Sequence, residues 1–147
     1  MTKEILLSLK GLQMENREDA QAMETITPAD YYQRNGSHYV IYEEMMEGST
    51  AATRNRIKFN DSCLEVSKKG CVNVQMLFEE NKKNMTSYMT PYGNILIGID
   101  TESISVEERE NQIHVEVEYT LEANYQHLAD CRIEMELRPR EVGIELL

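Results

Sequence analysis

This chain has almost none of the features that mark helical, membrane-spanning or catalytic proteins. No apolar residues recur at helical spacing over any length, and no apolar run approaches a membrane span. There is no nucleophile elbow, phosphate-binding glycine loop or zincin motif, so an enzyme is not expected. Cysteine is scarce: Cys63, Cys71 and Cys131 are odd in number and form no CxxC pair, which points to a reducing cytosol and to small buried hydrophobes. No disulfide or cofactor is required either, because a chain of 147 residues buries roughly 68–70% of its unfolded surface. Ile5 to Leu9 lacks the length and flanks of a signal peptide, so a cytoplasmic protein is expected and the Asn-x-Ser/Thr sequons at Asn35, Asn60 and Asn84 read as chance.

Positive charge is also in deficit. Fifteen Lys and Arg against twenty-six Asp and Glu give a net charge of −11, with a pI near 4.7. Phosphate backbones and anionic lipid surfaces are repelled at long range, so neither nucleic acid nor membrane is an expected partner. The one strand-borne basic cluster, Arg54, Arg56 and Lys58, alternates with Asn55, Ile57 and Phe59 and reads as a charged outer face that blunts edge pairing. Lys82 and Lys83 form a second, in an expected loop.

A two-residue rhythm fills the chain instead. Ile113, Val115, Val117, Tyr119 and Leu121 alternate with His114, Glu116, Glu118, Thr120 and Glu122, the pattern of a strand with one face buried. Cys131, Ile133, Met135 and Leu137 repeat it against Arg132, Glu134, Glu136 and Arg138. Antiparallel pairing of these two segments sets carboxylates beside arginines on the outer surface, where they serve solubility and register.

Turn residues cut the rhythm into about ten strands. Asn35-Gly36 is a two-residue hairpin turn. Further breaks fall at Glu47-Gly48-Ser49, Asn60-Asp61, Lys69-Gly70, Glu79 to Asn84, Pro91-Tyr92-Gly93-Asn94 and Glu107 to Asn111. The first strand is expected over residues 3–13 and the second over 21–34, while residues 140–147 read as a tail. Short connections between successive strands make a meander, and closing it into an up-and-down barrel removes both exposed edges. A β-sandwich is the other all-β solution.

The order of several segments carries a family resemblance: Tyr31-Tyr32, Tyr39, Tyr42-Glu43-Glu44, Ile57-Lys58-Phe59, the strand ending at Gly70, Tyr88-Met89-Thr90-Pro91-Tyr92-Gly93, and Ile95 to Ile104. From about Lys3 to Leu137 the chain resembles the YwiB-like family, small bacterial proteins of unknown function that are themselves similar to the calycins, the class of lipocalins and fatty-acid-binding proteins. Lys68 departs from the pattern, which places an arginine ahead of the glycine turn. The resemblance implies a lipocalin-like barrel and no particular activity, because barrels of this class host many functions.

Alternation nominates the side chains that reach the barrel interior. Tyr119 and Asn55 fall in phase with apolar neighbours, and one phase of the third and seventh strands brings in Tyr42, Glu44 and Tyr88. Tyr42, Glu44, Asn55, Tyr88 and Tyr119 are therefore the candidate ligand contacts. The competing reading is that their hydroxyls, amide and carboxylate satisfy one another in a packed core. His38, His114 and His127 are too scattered to suggest a metal site. Two functions follow: a module holding a small apolar ligand, or a filled acidic barrel acting in protein interaction or as a homodimer through Leu96 and the tail residues Ile144, Leu146 and Leu147. Nine methionines suit an adaptable pocket or an irregular core equally.

Overall fold

A computed structural model of the chain describes residues 3–11, 24–45, 52–70, 73–90 and 93–140. They form β1 (Glu4–Lys10), β2 (Glu24–Arg34), β3 (Ser37–Met45), β4 (Ala52–Phe59), β5 (Cys63–Lys69), β6 (Val74–Glu79), β7 (Lys82–Thr90), β8 (Gly93–Arg109), β9 (Gln112–Ala123) and β10 (Gln126–Pro139). All lie in one antiparallel sheet in the order β6-β5-β4-β3-β2-β1-β10-β9-β8-β7. The first and last strands pair, with Leu7 opposite Leu137, which leaves the consecutive strands β6 and β7 as the two edges.

Those edges face each other across a seam, making a nearly closed barrel. Only the bridge between Asn73 and Met89 continues the ladder there. Beyond it, β7 side chains replace backbone donors: Thr86 Oγ1 donates to the Gln75 carbonyl at 2.6 Å, and Asn84 Nδ2 to the Leu77 carbonyl at 3.3 Å. Edge carbonyls that would otherwise template aggregation are thereby capped.

The alternating pattern is realised strand by strand. Val115, Val117, Leu137, Ile5, Leu7, Val40, Val66 and Phe78 are fully buried, while their odd-phase neighbours face outward. Each such apolar side chain contributes roughly 1.5–3 kcal/mol on leaving water, so the filled interior dominates stability. On the outside Arg132 meets Glu116 at 2.9 Å, the carboxylate–arginine lattice that the sequence anticipates between β9 and β10. Asn35 and Gly36 both take positive φ, 52° and 80°, as a primed hairpin turn requires.

Several boundaries move. β1 is seen to Lys10 and β2 from Glu24, so the expected extensions over 12–13 and 21–23 lie outside the described residues. The expected loop from Glu79 to Asn84 shrinks to Glu80 and Asn81, because Asn81 itself adopts φ 62° and tightens the turn; Lys82 and Lys83 therefore belong to β7. Gly93 and Asn94 likewise begin β8, and β8 continues to Arg109 through the stretch read as a connection. Among the described residues no helix is long and apolar enough to cross a membrane.

The feature that positions the site is a change of partner in β2. Glu24 to Asp30 pair with β1, whereas Asp30 to Arg34 pair with β3, so only Asp30 is shared. Tyr31 N donates to Lys3 O on the β1 side. The two-residue period therefore turns the nitrogen of Pro28 toward β3, where proline has no hydrogen to give. β2 and β3 splay from this point.

Candidate functional site

On the inner faces of β3, β4 and β5 the polar members of the sequence pattern come together. Register sets Tyr42 opposite Asn55, Asn55 opposite Lys68, and Glu44 opposite Thr53. Asn55 is fully buried; its Nδ2 donates to Glu44 Oε1 at 3.2 Å and to the Thr53 carbonyl at 3.3 Å. Lys68 Nζ donates to Asn55 Oδ1 at 2.7 Å and lies 3.4 Å from Glu44 Oε1. A lysine and a glutamate thus sit within the barrel wall as an ion pair bridged by an amide, which offsets part of the desolvation each would otherwise suffer. Burial, reinforced by the Glu44 carboxylate, pushes the Tyr42 hydroxyl well above the ordinary tyrosine range, so it remains protonated and able to donate.

Gly70 ends β5 beside this cluster. Its φ of +148° and a Cβ position 2.6 Å from the Ala52 carbonyl oxygen and 2.7 Å from Thr53 Cα leave no room for a side chain.

Where β2 parts from β3 the wall opens into a cleft of about 280 Å³. Pro28, Ala29 and Ile41 give it an apolar wall, Tyr42 joins it to the interior cluster, and Asp30, Glu43, Arg54 and Arg140 set charges along it. Tyr42 is thus shared between a solvent-open cleft and a buried polar cluster.

A second constellation crosses the opposite end of the barrel. His38 is buried between β2, β4 and β8: its ring stacks on Phe59 at 4.7 Å, and Tyr31 Oη lies 2.7 Å from Nδ1. Gln33 Nε2 donates to the same Nδ1 at 3.2 Å, and Nε2 faces Glu108 Oε2 at 3.3 Å. An amide donor to Nδ1 puts the imidazole proton on Nε2, directed at the carboxylate. Burial and the Glu108 charge raise the Tyr31 hydroxyl above its ordinary value, so it too is a donor.

A scan of family profiles matches residues 7–135 to a domain of unknown function, DUF1934. The chain belongs to this family. Its fold is similar to the crystal structure of the ywiB protein from Bacillus subtilis, at a TM-score of 0.76 and 17% identity over 93% of this chain and 92% of that one. A search of curated proteins finds no match. At that identity the likeness concerns the fold alone, and the polar cluster and cleft are features of this DUF1934 chain.

Of the five residues nominated from sequence, Tyr42, Glu44 and Asn55 meet in one cluster. Tyr119 lies elsewhere on the inner face, packed edge-on against Phe78 at 4.9 Å. Burial, with a smaller contribution from the Cys131 thiol, drives its hydroxyl far above the usual range. Tyr88 is half-buried on β7 and packs against the core. Lys68 was missed as a site residue although Leu64 and Val66 lead it inward in phase; a cation on an apolar parity was the available signal. His38, Tyr31 and Glu108 carried no such signal, because β3 and β8 are not neighbours in the sheet. The outer-contact residue Leu96 is half-buried opposite Ser87, and Ile144, Leu146 and Leu147 lie outside the described residues.

Proposed function

We propose that this DUF1934 protein is a small-ligand-binding barrel rather than an enzyme, and that its site is the β2–β3 cleft backed by Tyr42. The observation that carries this reading is the continuity of the cleft with a buried polar cluster through one tyrosine. Binding sites are concave and mostly apolar, with a few fixed polar groups that orient the ligand. Pro28, Ala29 and Ile41 supply the apolar part, and the Tyr42 hydroxyl, held by its neighbours in one protonation state, supplies an orienting donor. Asn55, Glu44 and Lys68 brace Tyr42 from behind, a supporting role that keeps the donor in place without contacting the ligand. The free thiols of Cys63 and Cys131 support a reducing, cytoplasmic setting.

Native mass spectrometry of protein isolated from its own host tests the proposal. The expected spectrum carries an added mass of a few hundred daltons at most that disappears on denaturation. A bare monomer mass, together with no displacement of Ala29, Ile41 or Tyr42 resonances by a host small-molecule extract, would overturn it.

A further inference from the structure

We propose that the β2–β3 cleft selects a zwitterion, a free amino acid or very short peptide, whose carboxylate meets Arg54 and whose ammonium meets Glu43 and Asp30. The inference rests on the cleft reading above and names its ligand class. Glu43 and Arg54 are direct cross-strand partners on the outer faces of β3 and β4. At such positions Cβ atoms stand about 4.5–5.5 Å apart and opposite charges ordinarily close on each other. Elsewhere on this barrel they do close: Lys83 with Glu122 at 2.7 Å, Arg132 with Glu116 at 2.9 Å, and Arg140 with Glu4 at 3.1 Å.

Around the cleft the pattern differs. Among the described residues, Arg54, Glu43 and Asp30 make no ion pair, although all three are exposed and all three line the same 280 Å³ space. A ligand carrying adjacent opposite charges would satisfy a separated cation and anion at once. A singly charged ligand would satisfy one and leave the other opposed to it. Arg54 suits a carboxylate because its guanidinium donates in a planar fork. The apolar wall formed by Pro28, Ala29 and Ile41 would take the side chain, and the volume sits at the lower end of ligand pockets, which limits the occupant to amino-acid size. Whole-chain charge does not select against such a ligand, because a zwitterion is neutral overall.

The test uses full-length ¹⁵N-labelled protein and four millimolar pools: the twenty free amino acids, their methyl esters, their N-acetyl derivatives, and their N-acetyl amides. The free pool is expected to shift Ala29, Ile41 and Tyr42 resonances. The ester and acetyl pools should bind about ten- to a hundred-fold more weakly, the effect of one lost hydrogen bond to a charged group. The Glu43→Gln variant should erase the preference over the acetyl pool, and Arg54→Gln the preference over the ester pool; a merely structural role would not give that crossed pattern. Both side chains are exposed, and the dispersion of the ¹H–¹⁵N spectrum confirms folding. Equal shifts from the uncharged amide pool would overturn the zwitterion while leaving the cleft reading intact. No shift from any pool, on protein that carries a native adduct, would also overturn the zwitterion alone. No shift and no adduct would overturn both.

Discussion

Lys68 and Asn55 are joined at 2.7 Å on adjacent strands inside an otherwise apolar wall. Asn55 is fully buried, so its carbonyl oxygen has no access to solvent if the lysine is lost. Lys68→Met should destabilise the fold by about 1–3 kcal/mol, the cost of stranding buried polar groups. Adding Asn55→Leu and Glu44→Leu should recover part of that loss, because removing every partner leaves nothing unsatisfied. Urea unfolding of the single and triple variants measures both effects; a neutral Lys68→Met would show that Asn55 finds another partner.

His38 should be found as the Nε2–H tautomer whenever it is neutral, since Nδ1 accepts from Gln33 and Tyr31. Long-range ¹H–¹⁵N correlation spectra distinguish the two tautomers directly. Glu108→Gln removes the charge facing Nε2 and should also let the Tyr31 hydroxyl titrate at lower pH, because Glu108 contributes to its upward shift.

Outside the barrel, His114 bonds Glu116 at 2.9 Å and lies 3.5 Å from Glu136. The Glu116 hydrogen bond is the largest cause of a His114 value raised above 6.5, opposed by partial burial. A raised histidine stabilises the folded state fully below its unfolded value and loses that contribution as pH climbs through the folded one. Glu116 is shifted the other way, chiefly by His114 and then by Arg132, so its contribution is present above the ordinary value of 4.5 and fades as pH falls through the lowered one. NMR titration should place the His114 midpoint above 6.5, and Glu116→Gln should bring it down. Both groups are partly solvated, so the stability change will be small.

The β6–β7 seam should be the first part of the wall to open. Amides of these two strands are expected to exchange faster than those of β9, whose ladders are complete on both sides. Thr86→Val deletes the 2.6 Å bond to the Gln75 carbonyl and should cost about 1 kcal/mol, with the added exchange confined to β6 and β7.

Much of this arrangement was legible in the alternation. Val115, Val117 and Tyr119 inward, with Glu116 and Glu118 outward, follow from period two alone, and Asn35-Gly36 announces its own turn because only such residues tolerate two positive φ values. The same parity brought Tyr42, Glu44 and Asn55 to one face. Lys68 shares that parity, but a charge on an apolar phase reads as a departure unless its partners are already known. The cleft depends on β2 exchanging one neighbour for another at Asp30, for which Pro28 is the only local mark. The Tyr31–His38–Glu108 chain depends on closure of the barrel, which brings β8 against strands it never pairs with.

The most direct test of the binding account is native mass spectrometry of wild-type and Ile41→Trp protein prepared side by side from the native host. Ile41 is half-buried on the cleft wall, so an indole there fills the opening from outside and leaves the Tyr42 cluster in place. The account predicts a denaturation-sensitive adduct on the wild type and none on the variant, with both proteins equally folded. An adduct retained at full occupancy by Ile41→Trp would contradict it and move the ligand away from the β2–β3 cleft.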